Sequence, residues 1–141
     1  NTSTRGSRKG VKYMKKKLCA TFLTLLALMV FATSVFAAEA RWRNVTKITP
    51  IILASTNTYS SVINGSEGTT KIDCTLILYE KNPSGTYSEV SRCSSTHYGQ
   101  KGTFSGTANI KSGTTYKLET IATVTCNGSD ETVSTTFEKK C

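Results

Sequence analysis

Cysteines are the residues of this 141-residue chain with the greatest capacity for covalent chemistry. Cys19 lies in an apolar run near the N-terminus, and the other four are widely spaced: Cys74, Cys93, Cys126 and Cys141. Zinc sites use close-spaced thiolates or neighbouring histidines, whereas these gaps are long and the chain has a single histidine. In an oxidising compartment, four such cysteines predict disulfides rather than a metal site.

The pairing of the four cysteines has three solutions. If the Asn-Pro-Ser-Gly turn is a four-residue hairpin loop, Cys74 is directly opposite Cys93, where a disulfide can form. This register places Val90 on the other face from Cys93 unless a bulge lies between them. If the third and sixth strands are antiparallel neighbours, Cys74 pairs instead with Cys126. Both pairings stay open, and Cys141 either joins the remaining cysteine or stays a thiol.

Groups suited to acid–base catalysis are sparse. His97 lies in the polar stretch Ser94–Gly99, which reads as a connection between strands, where a lone histidine is normally solvated. The acidic residues stand singly in turns or at alternating positions, so no converging pair of carboxylates is indicated. Nucleophile-elbow, phosphate-loop and calcium-loop patterns are absent from the sequence. The sequence therefore predicts a non-enzymatic protein without a metal or other cofactor.

Three tyrosines are the nearest approach to a ligand-binding motif: Tyr79, Tyr87 and Tyr98. Aromatic rings in line on a sheet face provide a surface on which a carbohydrate can stack. The alternative is ordinary packing between neighbouring strands. Both interpretations stay open from the sequence.

The charge of the chain is concentrated at its beginning. The formal net charge is +9, but seven basic residues precede the apolar run and no acidic residue accompanies them. After Ala38, eleven basic residues face nine acidic ones and are scattered singly. Nucleic-acid binding needs a clustered basic face, so this distribution argues against a nucleic-acid partner. It also argues against a membrane-attacking peptide.

The apolar run has the layout of a secretory signal. Residues 14–38 comprise three lysines, an apolar stretch and an alanine-rich exit, which predicts a signal peptide with cleavage between 37 and 41. The alternative is an uncleaved anchor, because the run is close to the roughly 20 residues that span a bilayer. Residues 1–13 are interpreted as a disordered or mis-annotated leader, and residues 39–141 as a secreted domain. Contact with a membrane is expected only through an uncleaved signal segment.

The exported part reads as an all-β domain. Ser and Thr account for 32 of the residues after Ala38, and short alternating runs recur between turn signals. The predicted strands are Trp42–Ile48 with Ile51–Leu53, Tyr59–Ile63, Ile72–Lys81, Tyr87–Cys93, Thr103–Ile110, Tyr116–Cys126 and Glu131–Glu138. The first strand is interrupted at Pro50, which suits a position at the edge of a sheet. About seven strands predict a single immunoglobulin-like or fibronectin-like sandwich, preceded by a signal-peptide helix.

Tyr116 opens the penultimate predicted strand directly after a turn. Sandwiches of this kind place a tyrosine corner there, although an ordinary buried aromatic fits equally well. An antibody-type domain would also have tryptophan on the third strand and a cysteine at the position of Leu118. Trp42 is the single tryptophan and precedes all the other strands, so the architecture is expected without the antibody family.

Short motifs run through most of the exported part: Trp42, Gly68-Thr69-Thr70-Lys71-Ile72, Gly85-x-Tyr87, Val90, Ser112-Gly113-Thr114-x-Tyr116 and Glu131-Thr132-Val133. With these motifs the chain resembles an uncharacterised family of small Ser/Thr-rich proteins secreted by clostridial-type Gram-positive bacteria. The resemblance implies an extracellular immunoglobulin-like sandwich and no activity. Cys74 and Cys93 stand where the family usually has hydrophobic residues, which implies a bridge particular to this chain.

The function expected from these observations is binding or adhesion by a secreted, non-enzymatic extracellular domain. Its ligand would be a glycan, the cell wall or another protein. The alternative is a disulfide-stabilised secreted effector or an antimicrobial-type protein.

Overall fold

A computed structural model describes residues 42–141. The predicted leader, the signal peptide and its cleavage site lie outside the described residues. The strands are β1 (Val45–Leu53), β2 (Thr58–Gly65), β3 (Thr69–Lys81), β4 (Tyr87–Tyr98), β5 (Lys101–Thr107), β6 (Thr115–Cys126) and β7 (Ser129–Lys140). One 3-10 turn covers Ala54–Thr56. Among the described residues, no helix is long and apolar enough to cross a membrane.

Two antiparallel sheets form the body of the domain. The three-stranded sheet has the order β1-β2-β5, and the four-stranded sheet has the order β4-β3-β6-β7. This arrangement confirms the predicted all-β sandwich of about seven strands. β3 and β6 lie at the centre of the larger sheet and carry most of its core.

The core follows from strict alternation along these two strands. Every even-numbered residue of β6, from Tyr116 to Cys126, is buried, because successive side chains of a strand point to opposite faces. β3 contributes Ile72, Cys74, Leu76 and Leu78 in the same way, and all four are at most 4% exposed. The opposite sheet fills the remaining space, chiefly with Ile52, Tyr59, Ile63 and Phe104.

β1 runs through Pro50 without interruption, whereas the sequence predicted a break at this residue. Pro50 is paired with Ser61 of β2, and β1 is an edge strand. A proline is tolerated there because its missing N–H falls on the side that has no neighbouring strand. The predicted edge position is therefore confirmed, and the predicted interruption is wrong.

β4 extends to Tyr98, five residues beyond its predicted end. The stretch read as a polar connection is strand, and His97 is exposed within it, opposite Ile72 of β3. Apolar alternation is absent there because this part of β4 is an edge with exposed Ser and Thr side chains. Strand pairing with β3, rather than burial, holds it in place.

The hairpin register differs from the predicted one. Lys81 is opposite Tyr87, and a bulge at Val90 shifts the pairing so that Leu76 is opposite Cys93. The predicted direct opposition of Cys74 and Cys93 is wrong. The alternative, a bulge between Val90 and Cys93 that turns both residues inward, is not found either, because the bulge is at Val90 itself. The bulge leaves Val90 43% exposed and turns Cys93 toward the core, where it packs against the buried cluster.

Tyr116 lies at the second position of β6 and is completely buried. Its hydroxyl accepts a hydrogen bond of 2.9 Å from the backbone N–H of Lys111. A bond from this hydroxyl to backbone a few residues upstream defines a tyrosine corner. The geometry therefore favours the corner over an ordinary buried aromatic.

Candidate functional site

The outer face of the four-stranded sheet carries all three tyrosines singled out by the sequence. Odd-numbered positions of β3 and β6 point to this face, because the even-numbered ones fill the core. Tyr79 on β3 and Tyr87 at the start of β4 lie near one end of it. Tyr98 lies at the far end of the twelve-residue β4, more than about 30 Å away at the usual rise per residue. The structure thus brings together two of the three tyrosines.

Lys117 of β6 joins these two tyrosines. Its Nζ atom lies 4.8 Å from the ring centroid of Tyr79 and 4.4 Å from that of Tyr87. Ammonium groups at such distances are attracted to the negative face of an aromatic ring. Both tyrosines are half-buried, so part of each ring contacts solvent. We refer to Tyr79, Tyr87 and Lys117 as the tyrosine platform.

Carboxylates on β6 and β7 fix the orientation of the two rings. The Tyr79 hydroxyl donates to Oε2 of Glu119 at 2.9 Å, and the Tyr87 hydroxyl donates to Oε1 of Glu138 at 2.7 Å. These hydrogen bonds raise the pKa of both tyrosines, because a phenolate would face a carboxylate. Each hydroxyl therefore stays a donor, and each carboxylate keeps further acceptor capacity.

An ion pair borders the platform on β4. The Arg92 guanidinium donates to both carboxylate oxygens of Glu89, at 3.0 and 2.9 Å. These bonds lower the pKa of Glu89. The pair adds no net charge to this face. The other two cations near the rings, Lys117 and Lys81 (Nζ 5.7 Å from the Tyr87 ring centroid), are equal in number to the carboxylates of Glu119 and Glu138.

Farther along β3 the same face becomes a surface of hydroxyl groups. A shallow open depression of about 280 Å³ is lined by Asp73, Cys74, Thr75, Ser94, Ser95, Thr96, Ile121 and Thr123. Thr96 donates to Asp73 at 2.6 Å, and Lys71 lies 2.8 Å from the same carboxylate. The pKa of Asp73 is lowered, first by Lys71 and then by Thr96. The depression offers hydroxyl donors and acceptors beside the Asp73 carboxylate, whose charge is paired with Lys71.

Sequence reasoning missed Lys117, Glu119 and Glu138. Their positions on β6 and β7 show only that they face solvent. Their meeting with Tyr79 and Tyr87 depends on the order β4-β3-β6-β7, which local alternation does not determine. No signal in the sequence could have selected them from the other exposed charges.

The four described cysteines are thiols in this structure. Cys74 is opposite Ser95, so it is a diagonal neighbour of Cys93 on the inner face of the sheet. Diagonal neighbours lie about 7–8 Å apart, and a bridge between them needs some backbone movement. Burial, with a contribution from Cys93, raises the pKa of Cys74 to about 12. The Cys74 thiol is therefore a poor nucleophile at neutral pH once the domain is folded.

The other predicted bridge is not supported by the strand register. β3 and β6 are antiparallel neighbours as expected, but Cys74 is opposite Ala122, four residues from Cys126. That separation is about 13 Å, which exceeds the span of a disulfide. Cys141 follows the end of β7, at the opposite end of β6 from Cys126. Cys126 and Cys141 therefore cannot pair within one chain.

We expect protein produced in an oxidising compartment to contain at most one disulfide within residues 42–141, between Cys74 and Cys93. Peptide mapping after alkylation under denaturing, non-reducing conditions should find alkylated Cys126 and Cys141. A reduced sample, in which all four are alkylated, is the control. A peptide linking Cys126 to Cys141 in monomeric protein would contradict the register of β6 and β7.

Within residues 42–141, no three His, Cys, Asp or Glu side chains are grouped so as to hold a metal ion. Several of the described acidic side chains accept hydrogen bonds that hold the fold or orient the platform tyrosines. Glu131, for example, accepts hydrogen bonds from the backbone N–H groups of Asn44 at 2.6 Å and Arg43 at 3.1 Å. These bonds lower its pKa and tie the segment before β1 to β7.

No known protein family and no curated protein matches this chain. Among solved structures it is similar to the crystal structure of Parabacteroides merdae beta-glucuronidase, with 12% sequence identity and a TM-score of 0.33. The match covers 69% of this chain and 13% of that chain. A likeness of this size carries no argument about activity.

Proposed function

We propose that this protein is a secreted, non-enzymatic extracellular domain that binds a glycan through the outer face of its four-stranded sheet. The observation that carries the proposal is the tyrosine platform, in which two partly exposed rings are held by Glu119 and Glu138 on either side of Lys117. Binding sites commonly combine such an apolar surface with a few fixed polar groups.

The chemistry of the platform suits a sugar ring. One face of a pyranose presents C–H groups that stack on tyrosine, and its edge presents hydroxyl groups. Those hydroxyls can donate to the carboxylates of Glu119 and Glu138 and accept from Lys117. Because both rings are already oriented, little side-chain freedom is lost on binding. The balanced charge favours a neutral glycan of a cell wall or cell surface over a polyanion such as nucleic acid.

The position of the depression supports an extended ligand. Thr75, at its edge, lies four residues from Tyr79 along β3, about 13 Å at the usual rise. A glycan chain that follows β3 would pass from the platform onto the hydroxyl-lined surface. Tyr98, opposite Lys71, lies beyond the depression and about 30 Å from the platform, so a short glycan bound at the platform would not contact it.

The proposal also includes the secretion, the subclass of sandwich and the extracellular location that are expected from the sequence. The signal-like residues 14–38 support secretion. The strand order and the Lys111–Tyr116 corner support an immunoglobulin-like or fibronectin-like sandwich. The resemblance of the sequence motifs to small Ser/Thr-rich proteins exported by clostridial-type Gram-positive bacteria likewise supports secretion.

A glycan array that includes Gram-positive wall polysaccharides tests the proposal, followed by titration calorimetry on the best ligand. We expect Tyr79→Ala and Tyr87→Ala each to weaken binding by about tenfold or more, as for the anchor residues of other interfaces. Tyr98→Ala is the matched control, because Tyr98 is 78% exposed on the same face but remote from the platform. It should bind like the parent protein.

Two results would overturn the proposal. One is equal loss of affinity in the Tyr98→Ala control. The other is absence of binding to every glycan and wall preparation together with killing of competitor cells, which would support the secreted-effector alternative.

A further inference from the structure

The outer edge of β7 has no neighbouring strand among the described residues. β7 runs for twelve residues at the margin of the four-stranded sheet and pairs with β6 without a register shift. An edge strand presents a row of unpaired N–H and C=O groups, which is a template for another strand. Among residues 42–141, no backbone hydrogen bond from another element reaches this edge.

The other three sheet edges carry features that block strand addition. β1 contains Pro50, and β4 contains the bulge at Val90. β5 lies against β4, where its Thr107 carbonyl accepts a hydrogen bond of 3.1 Å from the Ser91 hydroxyl. Such devices protect edges from unwanted pairing. The centre of β7, from Val133 to Phe137, contains no proline, glycine, charge or bulge.

The sequence of β7 is complementary to itself when reversed. Its first part is acidic and its end is basic, with an uncharged centre between them: Ser-Asp-Glu-Thr-Val-Ser-Thr-Thr-Phe-Glu-Lys-Lys. An antiparallel pair centred on Thr135 places Asp130 opposite Lys140, Glu131 opposite Lys139 and Val133 opposite Phe137 in the second copy. Directly opposed residues of unlike charge, or of aromatic and β-branched type, stabilise an antiparallel pair.

We propose that β7 pairs antiparallel with β7 of a second copy of this chain, about a two-fold axis at Thr135. The two four-stranded sheets then form one continuous sheet of eight strands. A two-fold contact uses the same surface on both partners, which is why a self-complementary strand fits it. Main-chain hydrogen bonds provide the affinity, and the charged ends fix direction and register.

The pair formed by Asp130 and Lys140 is the better one for testing the proposed dimer. Asp130 and Lys140 are both exposed, and their side chains point away from the core. Asp130 accepts one hydrogen bond within the domain, 2.6 Å from Thr125. Glu131 and Lys139 are less suitable, because Glu131 anchors backbone before β1 and Lys139 donates to the carbonyl of Ile52 at 2.7 Å.

The experiment compares Asp130→Lys with Lys140→Asp by sedimentation velocity, on protein purified from a secreting host and kept under reducing conditions. Each variant places two like-charged pairs in its own dimer, so each homodimer should dissociate about tenfold or more readily than that of the parent. A mixture of the two variants restores both attractive pairs and should recover the parental dimer. Added salt should reduce these differences, because the charges are exposed.

The control is Lys101→Asp on β5, because it makes the same change of charge as Lys140→Asp on a different exposed edge. The Lys101→Asp dimer should be as stable as that of the parent. Thermal unfolding of each variant checks that the fold is retained. A parent protein that stays monomeric at all concentrations overturns the proposal. So does a dimer that neither variant weakens, or a mixture that fails to recover it. In those cases the β7 edge is free or serves an unrelated protein strand.

Discussion

The Leu76→Ala variant is expected to unfold with a free energy about 3–4 kcal/mol lower than that of the parent protein. Leu76 is 0% exposed at the middle of β3, between Cys93 on β4 and Thr120 on β6. Truncation removes buried methyl groups and leaves a cavity where neighbours on both strands are held by sheet hydrogen bonds. Such a site collapses poorly, so the cost should lie above the lower end of the range for leucine.

Urea denaturation followed by circular dichroism measures this effect. Thr75→Ala is the matched control, because Thr75 is adjacent but points to the outer face, where it shares a hydrogen bond with Ser94. The control should change the free energy of unfolding by less than about 1 kcal/mol. Equal losses at the two positions would contradict the inward alternation of β3.

The Thr120→Val variant is expected to lose about 1–3 kcal/mol of stability although it keeps the shape of the side chain. The Thr120 and Ser61 hydroxyls form a hydrogen bond of 2.6 Å between the two sheets, and both residues are 0% exposed. Removal of one hydroxyl leaves its partner buried without that bond. The double variant Ser61→Ala with Thr120→Val removes both groups and should be no less stable than Thr120→Val alone.

A double-mutant cycle on the free energy of unfolding isolates this pair. The control is Thr123→Val. The Thr123 and Thr132 hydroxyls also form a hydrogen bond, of 2.8 Å, but this bond is exposed to solvent. Water replaces the lost partner there, so a change below about 0.5 kcal/mol is expected. Strictly additive losses at Ser61 and Thr120 would show that the two hydroxyls do not depend on each other.

Together these predictions describe an apolar core that a fully buried hydrogen bond between side chains crosses. Fifteen buried residues form the hydrophobic cluster, and the Ser61–Thr120 bond crosses from β2 to β6 through it. A buried pair of this kind constrains how the sheets align, because any sliding of one sheet past the other would separate the hydroxyls. The outer faces can then carry binding groups without a role in holding the sheets together.

The candidate site shows which of its residues can be predicted from the local sequence pattern and which cannot. Alternation assigned Tyr79 and Tyr87 to strands, and the turn between them indicated that the strands pair. Lys117 and Glu138 became part of the site only through β6 and β7, which lie far along the chain. The same limit applies to the cysteines, since oxidising conditions and an even count predict bridges but not which thiols are within reach.

The sequence by itself determined the all-β class, the number of strands and the exposed edge at Pro50. These properties depend on the two-residue period of strands and on turn residues, both of which can be recognised in short stretches of sequence. The tertiary structure decided the register of β4, the extension of β4 to Tyr98 and the meeting of Tyr79, Tyr87 and Lys117. Each of these depends on the bulge at Val90 or on the order of strands. A one-residue slip exchanges the two faces of a strand, so register is settled by all cross-strand contacts together and by no single segment.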